Sequence, residues 1–319
     1  MASFVLTETM KPGAELQGSL VESLANVVLA NWEEWKLGGS RPSKLGWILY
    51  SRGHVQKSVI KFINPSSARP VAVAKLPNTP GTAVLVQNEH NNIQDMREEL
   101  RFCPDILGSL PRPLALIKKD WAYILVEEAF DGQPVTSLLQ RADERQNSDE
   151  GLVTLGRCFR WLVDFHHAVD TPTTMRQHGD FAVNNLFLLP GGRLAVIDWE
   201  NFGKYPPCFD LFSLVFSAGF YASEADDRDR GPQSLVTRFE AAYFAPTKLC
   251  RLVSAFLASY CQQFNMDKAG ASEWLDEFLT LKRQRMEDIY GTRNIYALGY
   301  LALGNRCYLQ RPLFIEGLS

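Results

Sequence analysis

Residues 178–201 read HGDFAVNNLFLLPGGRLAVIDWEN, and this stretch decides how the rest of the chain is interpreted. Asn185 follows Asp180 by five positions, and Asp198 follows Asn185 by thirteen. The apolar residues on both sides of the PGG sequence at 190–192 predict two short strands joined by a turn. Because carboxylate and amide oxygens are ligands that Mg²⁺ prefers, this spacing predicts a site for metal and phosphate held on strands.

The same spacing occurs in the catalytic loop of protein kinases, which reads H-R-D-x-x-x-x-N and is followed by a second aspartate that binds magnesium. In this chain the loop reads HGD at 178–180, with Asn185 after it, so glycine replaces the arginine. The second aspartate is Asp198, in the sequence IDWE. These residues resemble the aminoglycoside phosphotransferase and choline kinase group of kinase-like enzymes, whose loops read H-G-D-x-x-x-x-N and then I-D-[WFY]-E.

The resemblance implies an α+β, bilobal protein-kinase-like fold. Its small N-terminal lobe, residues 1–128, would contain a leading helix and a five-stranded antiparallel sheet that binds the nucleotide. Its C-terminal lobe, residues 129–319, would be mainly helical and would carry the catalytic loop and the substrate site. The order of the predicted elements extends the resemblance over most of residues 45–220.

The resemblance also implies a function, which is ATP-dependent transfer of the γ-phosphoryl group to a hydroxyl of a small molecule, with ATP and Mg²⁺ as cofactors. The acceptor would be an aminoglycoside-like antibiotic, a sugar or an amino alcohol. Asp180 would be the catalytic residue, since it would orient the acceptor hydroxyl and accept its proton, while Asn185 and Asp198 would hold magnesium. His178 is expected to brace the backbone of the loop and not to act as a base.

Composition excludes several other classes of protein. A chain of 319 residues with 46% hydrophobic residues is long enough for two lobes and typical of a globular enzyme. Its net charge of -3 gives no basic footprint for nucleic acid. The N-terminus lacks the pattern of a secretory signal, and the longest apolar run, residues 211–222, is too short to span a bilayer. We therefore expect a soluble cytoplasmic protein with no membrane partner.

The six cysteines predict no zinc site or disulfide framework. They are scattered along the chain, without a C-x-x-C pair or a cluster of histidines beside them. Buried reduced thiols are the expected state in the cytosol.

Upstream of the loop, apolar spacing indicates a helix and then a sheet. Residues 14–37 predict an amphipathic helix that packs on its own lobe, with a partner surface as the alternative. A further helix is expected at 82–102, between the third and fourth strands. The strands of the sheet are predicted at 47–50, 58–63, 71–75, 114–117 and 121–126.

The connection between the first two strands stands where kinases carry their phosphate-covering loop. It contains one glycine, Gly53, where protein kinases have three. Ser51, Gly53 and Lys57 are therefore candidate phosphate contacts, and an ordinary hairpin is the equal alternative.

Lys75 ends the third strand in the sequence VAVAK, which is similar to the V-A-I-K pattern whose lysine holds the α- and β-phosphates. The following helix should supply a glutamate that positions this lysine. Glu89 is the choice from spacing, and Glu98 is the alternative.

Residues 127–134, EEAFDGQP, lose periodicity and contain turn residues, which predicts a linker between lobes. In the family that the chain resembles, this hinge binds adenine through backbone groups, here the Glu127 carbonyl and the Ala129 amide. Asp210 falls where a helix would begin, and it either caps that helix or, as the resemblance implies, supports the catalytic loop. Residues 224–230 are an exposed polar loop or, alternatively, an acidic wall of a substrate cleft.

Two rival interpretations remain open. A catalytically silent nucleotide-binding pseudokinase that acts as a scaffold would have lost a catalytic group, yet Lys75, Asp180, Asn185 and Asp198 are all present. A protein kinase would carry an A-P-E sequence after Asp198 and an arginine in place of Gly179, and the chain has neither.

Overall fold

The computed structural model describes residues 18–51, 57–140, 149–169, 175–222 and 232–316. Gly53 and the segment 224–230 lie outside the described residues, as does the side chain of Ser51. The chain divides into two compact units. Unit 1 comprises residues 1–132 and 189–202, and unit 2 comprises residues 133–188 and 203–319.

Most strands precede most helices along the chain. The elements in chain order are α1 (Gly18–Ala30), β1 (Gly46–Ser51), β2 (Lys57–Asn64), β3 (Arg69–Pro77), α2 (Pro80–Glu99), α3 (Pro104–Leu107), β4 (Pro113–Lys119), β5 (Ala122–Glu128), β6 (Gln133–Pro134), α4 (Val135–Gln140), α5 (Asp149–Val169), β7 (Arg176–Gln177), β8 (Leu186–Leu188), β9 (Leu194–Val196), β10 (Gly203–Lys204), α6 (Phe209–Ala222), α7 (Pro232–Tyr243), α8 (Lys248–Gln263), α9 (Ala271–Tyr290), α10 (Ile295–Leu309) and α11 (Leu313–Glu316). Short 3₁₀ turns occur between several of them.

The units differ from the predicted division after residue 128 in two ways. The boundary falls after Gly132, and the segment 189–202, which the prediction gave to the second lobe, is part of unit 1. A hydrogen bond of 2.8 Å from the Asn92 side chain on α2 to the Trp199 carbonyl holds this segment in unit 1. The two residues are 107 positions apart, so no local pattern marks this contact.

The sheet of unit 1 has five antiparallel strands, as predicted, and the structure gives their order as β1-β2-β3-β5-β4. Along β2 every second side chain is buried, which is the period of a strand with one face on a core. Ile60 and Phe62 are fully buried there. The sheet thus turns one face of β2 into the core of unit 1.

Helix α2 follows β3, and a capping box fixes its start. The Thr79 hydroxyl accepts a hydrogen bond from the Thr82 amide (3.3 Å), and the Thr82 hydroxyl accepts one from the Thr79 amide (3.0 Å). The helix ends at Glu99, three residues before the predicted end, because residues 100–102 form a 3₁₀ turn. Glu89 lies on the buried face of this helix.

Helix α1 packs on the sheet of its own unit, which was the favoured alternative. Leu24, Val28 and Trp32 belong to the same buried cluster as Ile60 and Phe62 of β2. Burial of side chains of this size stabilises the unit by roughly 1.5–3 kcal/mol each.

Unit 2 is mainly helical, and aromatic side chains form part of its core. The Phe216 ring on α6 lies 4.3 Å from that of Phe239 on α7 and 5.1 Å from that of Phe278 on α9, measured between centroids. The first pair is stacked and the second is tilted, and aromatic pairs stabilise by more than the area they bury. With the antiparallel sheet of unit 1 and the helices of unit 2, the predicted α+β fold class is confirmed.

None of the helices in the described ranges combines the length and the apolar character that crossing a bilayer requires. Five of the six cysteines are buried, and Cys103 is partly exposed.

The sheet core gives a first prediction, on stability. Ile60→Ala should lower the free energy of unfolding by about 2–5 kcal/mol, because truncation of a fully buried isoleucine leaves a cavity. Urea unfolding measures the loss. Ile48→Ala is the matched control, since Ile48 on the neighbouring β1 is 43% exposed, and its loss should stay below about 1 kcal/mol. Equal losses in both variants would contradict the burial of the β2 face.

Candidate active site

The HGD loop of unit 2 is held by Asp210 at the start of α6. The Asp210 carboxylate accepts hydrogen bonds from the His178 amide (2.5 Å) and the Gly179 amide (2.9 Å). Asp210 is fully buried, so these charge-assisted bonds form away from competing water. Asp210 therefore supports the loop, the role that the resemblance implied.

The backbone conformation at position 179 explains why glycine occurs there. Gly179 has a φ of +79°, in the left-handed region that glycine adopts without steric cost. An arginine at this position, as in protein kinases, would be strained in this backbone conformation.

His178 braces the loop, as predicted. Its Nδ1 accepts a hydrogen bond from the Asp180 amide at 3.2 Å, which requires Nδ1 to be unprotonated. The ring is fully buried. His178 thus fixes the backbone of the residue that carries the candidate catalytic carboxylate.

Asn185 closes the loop five residues after Asp180. Its side-chain amide donates to the Asp180 carbonyl (2.9 Å) and to Asp180 Oδ2 (3.2 Å). Its Oδ1 accepts from the Asn184 side chain at 2.8 Å. The observed spacing of five is therefore the one at which the asparagine reaches the aspartate.

Two cations of α9 contact the same loop, and sequence reasoning missed both. Lys282 Nζ lies 2.8 Å from Asp180 Oδ1, and Arg285 Nη1 donates to the Gly179 carbonyl at 2.9 Å. Lys282 is 3% exposed, and its ammonium lies 5.3 Å from the centroid of the Phe209 ring.

The sequence did contain a signal for Lys282. The buried face of α9 comprises Leu275, Phe278, Leu279 and Lys282, at the spacing of an apolar helical stripe. A lysine on such a stripe is rarely buried unless it is paired, so its position indicated a buried acidic partner.

The cations control the ionisation of Asp180. Burial by itself would raise the pKa of this carboxyl, but the positive charges of Lys282 and Arg285 outweigh burial and lower the pKa to about 2. Asp180 is therefore ionised at neutral pH, and its side chain keeps 32% exposure.

In unit 1, Lys75 lies at the centre of a cluster of carboxylates. Its ammonium lies 2.5 Å from Glu89, 2.9 Å from Glu127 and 3.1 Å from Asp198, and its side chain is 2% exposed. The structure thus pairs Lys75 with Glu89 on α2. Glu98 is exposed and pairs with Arg101 instead.

Lys57, at the start of β2, is a second cation in this cluster. Its ammonium lies 3.1 Å from Glu89 and 3.6 Å from Asp198, and it also contacts Glu200. Burial opposes its charge, but the neighbouring carboxylates raise the pKa of Lys57 above its usual value. Both lysines are therefore ammonium ions, because carboxylates likewise outweigh burial and raise the pKa of Lys75.

The carboxylates of this cluster outnumber its cations. Glu89, Glu127, Asp198 and Glu200 face two ammonium groups. Burial raises the pKa of Glu127 to about 7 and also raises that of Glu200. Glu127 Oε2 is buried and has no hydrogen-bond partner among the described residues. Burial and the neighbouring carboxylates thus both oppose full ionisation of Glu127 and Glu200.

Asp198 owes its position to an unusual backbone conformation. Its φ of +65° lies in the left-handed region, which costs a non-glycine residue about 1–3 kcal/mol. Contacts on both sides hold it there, since its own carboxylate pairs with Lys75 and the Trp199 amide donates to Glu89 at 3.3 Å.

The predicted hinge residues lie at the end of β5 and just after it. The Ala129 amide donates to the Val71 carbonyl at 3.2 Å, so the structure engages it within unit 1. The side chain of Glu127, to which the sequence assigned no part, belongs to the Lys75 cluster. Adenine binding by the Glu127 carbonyl and the Ala129 amide stays a prediction.

The predicted site residues therefore fall into two groups. Unit 1 brings Lys75, Glu89, Glu127 and Asp198 together. Unit 2 brings Asp180 and Asn185 together.

A family model agrees with the resemblance inferred from the HGD loop. The model of the phosphotransferase enzyme family matches residues 160–252, a range that contains Asp180, Asn185, Asp198 and Asp210. The resemblance is thereby confirmed over this part of the chain. Comparison with curated proteins gave no match.

Solved structures similar to this chain include kinases of small molecules. One is an aminoglycoside phosphotransferase from Streptomyces rimosus ATCC10970, with 16% identity, 77% of this chain and 99% of that chain covered, and a TM-score of 0.37. Another is the choline kinase LicA from Streptococcus pneumoniae, with 15% identity, 94% and 99% covered, and a TM-score of 0.40. A third is an ethanolamine kinase from Plasmodium vivax, with 12% identity, 86% and 83% covered, and a TM-score of 0.39.

The Lys75 cluster gives a second prediction. Lys75→Met should lower the free energy of unfolding by about 3–5 kcal/mol, because it removes the cation that pairs with the buried Glu127 and one of the two cations that contact the buried Glu89. Urea unfolding measures the loss, and adding Glu127→Gln to this variant should recover part of it. Lys118→Met is the control, since Lys118 on β4 is exposed. Stability of Lys75→Met close to that of the control would show that the cluster is not buried.

The lowered pKa of Asp180 gives a third prediction. A depressed carboxyl pKa stabilises the folded state above the ordinary value of 3.8, and this contribution is lost as the pH falls toward about 2. Asp180→Asn should therefore have a lower melting temperature than the parent at pH 6, and the difference should shrink below pH 3.8. Thermal unfolding across this range is the measurement. A difference independent of pH would contradict the ion pair with Lys282.

Proposed function

We propose that the chain is an ATP- and Mg²⁺-dependent phosphotransferase that moves the γ-phosphoryl group to a hydroxyl of a small molecule. The observation that carries the proposal is the Asp180 carboxylate, which is ionised, partly exposed and held in place by Asn185 and Lys282. The match of the phosphotransferase family model to residues 160–252 supports it.

Asp180 would act mainly by orientation. A carboxylate with a pKa of about 2 is a weak base, so it would not remove a proton from an alcohol before reaction. It would hold the acceptor hydroxyl in line and take up the proton as the new bond to phosphorus forms. A loose phosphoryl-transfer transition state needs little more, since catalysis there is mostly positioning and charge stabilisation.

The lysines of unit 1 would contact the nucleotide. Lys75 would hold the α- and β-phosphates, positioned by Glu89, and Lys57 offers a second ammonium beside it. Ser51 and Gly53 would contribute phosphate contacts from the connection before β2. Their part is proposed from sequence alone.

Adenine would be bound by backbone groups at the end of β5 and just after it. The Glu127 carbonyl and the Ala129 amide are the proposed groups, and binding would require the Ala129 amide to exchange Val71 for the nucleotide.

The donor groups fit a magnesium ion. Asn185 and Asp198 offer amide and carboxylate oxygens, which are hard ligands. Among the residues that the structure describes, no group of three or more His, Cys, Asp or Glu side chains is arranged to hold a metal ion, so the ion would need phosphate oxygens of the nucleotide as further ligands. When bound, the ion would neutralise charge on the phosphate oxygens.

The remaining assignments follow from this reaction. We propose a cytoplasmic protein whose partner is a small hydroxyl acceptor, with no nucleic-acid or membrane partner. A nucleotide-binding scaffold without activity is the rival, and the following test separates the two.

Substitution of the two aspartates gives a fourth prediction. Asp180→Ala should abolish phosphate transfer, by at least about a thousandfold, while ATP still binds. Asp198→Ala should lose magnesium-dependent ATP binding as well, because it removes a metal ligand. ADP formation with a panel of small alcohols measures transfer, and titration calorimetry measures binding.

Asp288→Ala is the matched control for this experiment, because Asp288 is an exposed carboxylate on α9. It should behave as the parent does. Equal rates of phosphate transfer by Asp180→Ala and the parent would contradict the proposed mechanism. ATP binding without transfer to any acceptor would favour the scaffold.

A further inference from the structure

Two cations of α9 place positive charge next to the HGD loop of unit 2. Lys282 and Arg285 lie one helical turn apart on α9, and both contact the HGD loop. Lys282 is buried, whereas Arg285 is partly exposed. Arg285 is therefore a partly exposed residue whose guanidinium contacts the loop that carries the candidate catalytic carboxylate.

The two carboxylates that contact the HGD loop are engaged by groups other than the Arg285 guanidinium. Asp180 is paired with Lys282 at 2.8 Å. Asp210 is fully buried and directs its two oxygens to the amides of His178 and Gly179. Arg285 contacts the loop by donating a hydrogen bond to the Gly179 carbonyl. Among the ion pairs of the described residues, none joins Arg285 to a carboxylate.

The other acidic residues at this part of α9 have partners elsewhere. Asp276 forms two bonds with Arg311, at 2.5 and 2.7 Å. Glu287 pairs with Arg283 at 3.7 Å. Asp288 accepts a hydrogen bond from Gln284 at 3.0 Å. None of these contacts involves Arg285.

Two phenols lie within electrostatic reach of Arg285. Burial raises the pKa of Tyr205 and of Tyr300, and the charge of Arg285 acts against that rise in both. Both phenols are therefore neutral at pH 7. Neutral phenols at this place can donate hydrogen bonds.

A guanidinium at this position would distinguish between acceptors of different charge. A cationic acceptor would bring its ammonium group toward Arg285, and like charges at short range repel. An anionic group would instead meet a planar guanidinium, which binds carboxylate and phosphate oxygens in a two-pronged geometry. A neutral acceptor would gain neither effect.

We propose that the acceptor is a small hydroxy compound that also carries a carboxylate or phosphate group, and that Arg285 binds this anion while Asp180 orients the hydroxyl. This inference rests on the proposed phosphotransferase function and names the chemical class of its acceptor. It favours anionic acceptors over aminoglycosides and amino alcohols, which carry positive charge. Arg285 acts on specificity and Asp180 on the reacting hydroxyl.

Four matched probes test this proposal. Glycerate, glycerol 1-phosphate, glycerol and 3-aminopropane-1,2-diol share a three-carbon hydroxylated frame and differ in the charge of one substituent. With the parent enzyme, ATP and Mg²⁺, kcat/KM should be at least about tenfold higher for an anionic probe than for glycerol, since hydrogen bonds to charged groups are the stronger ones. The amine should be the poorest acceptor. The ratio between glycerate and glycerol 1-phosphate identifies the preferred anion.

Variants of Arg285 separate binding of the anion from a structural effect. Arg285→Gln should raise KM for the preferred anionic probe by about tenfold to a hundredfold more than it raises KM for glycerol. Loss of its hydrogen bond to the Gly179 carbonyl should lower kcat by the same factor for every probe. Arg285→Lys should restore part of the loss, because charge returns without the planar fork. Arg283→Gln is the control, since Arg283 pairs with Glu287 on the same helix, and it should match the parent.

Several outcomes would overturn the proposal. Glycerol or the amine could be better acceptors than both anions, or Arg285→Gln could change KM equally for charged and neutral probes. If no probe is phosphorylated, the proposed function fails for this panel, and calorimetric titration of glycerate and glycerol 1-phosphate decides the inference alone. Binding to the parent that weakens in Arg285→Gln supports it, and no binding, or equal binding to both proteins, rejects it.

Discussion

The buried ammonium of Lys75 is the interaction on which unit 1 depends. It pairs with carboxylates from three separate segments, which are Glu89 on α2, Glu127 on β5 and Asp198 after β9. An ammonium at 2% exposure is costly unless charged partners surround it. The cluster therefore ties the sheet, the helix and the segment 189–202 to one another, and it holds Asp198 in a left-handed backbone conformation.

Unit 2 uses a comparable arrangement around a carboxylate. The buried Asp210 fixes the amides of His178 and Gly179, and Lys282 pairs with Asp180. The loop is thus held from α6 on one side and from α9 on the other. Groups fixed in this way need little rearrangement during a reaction, and this is the property that phosphoryl transfer demands.

The two clusters differ in charge, and the difference suits different ligands. Around Lys75, four carboxylates contact two ammonium groups. Around Asp180, Lys282 pairs with the carboxylate and Arg285 contacts the Gly179 carbonyl. The proposed nucleotide would meet the lysines of unit 1, and the proposed anionic acceptor would meet Arg285 of unit 2.

The sequence by itself determined the features that depend on short spacing. Alternating apolar residues predicted the five antiparallel strands. The spacing of five residues between Asp180 and Asn185 is one at which the asparagine side chain reaches the aspartate within the same loop. His178 and Gly179 were readable for the same reason, because their roles concern the backbone of their own loop.

Only the tertiary structure decided the contacts between distant segments. Lys282 lies 102 positions from Asp180, and packing of α9 on α6 through Phe278 and Phe216 brings them together. The buried side chain of Glu127 and the engaged amide of Ala129 were likewise invisible, because they depend on which strands are neighbours. Periodicity shows that a residue is buried, but the identity of its partner depends on how the elements pack.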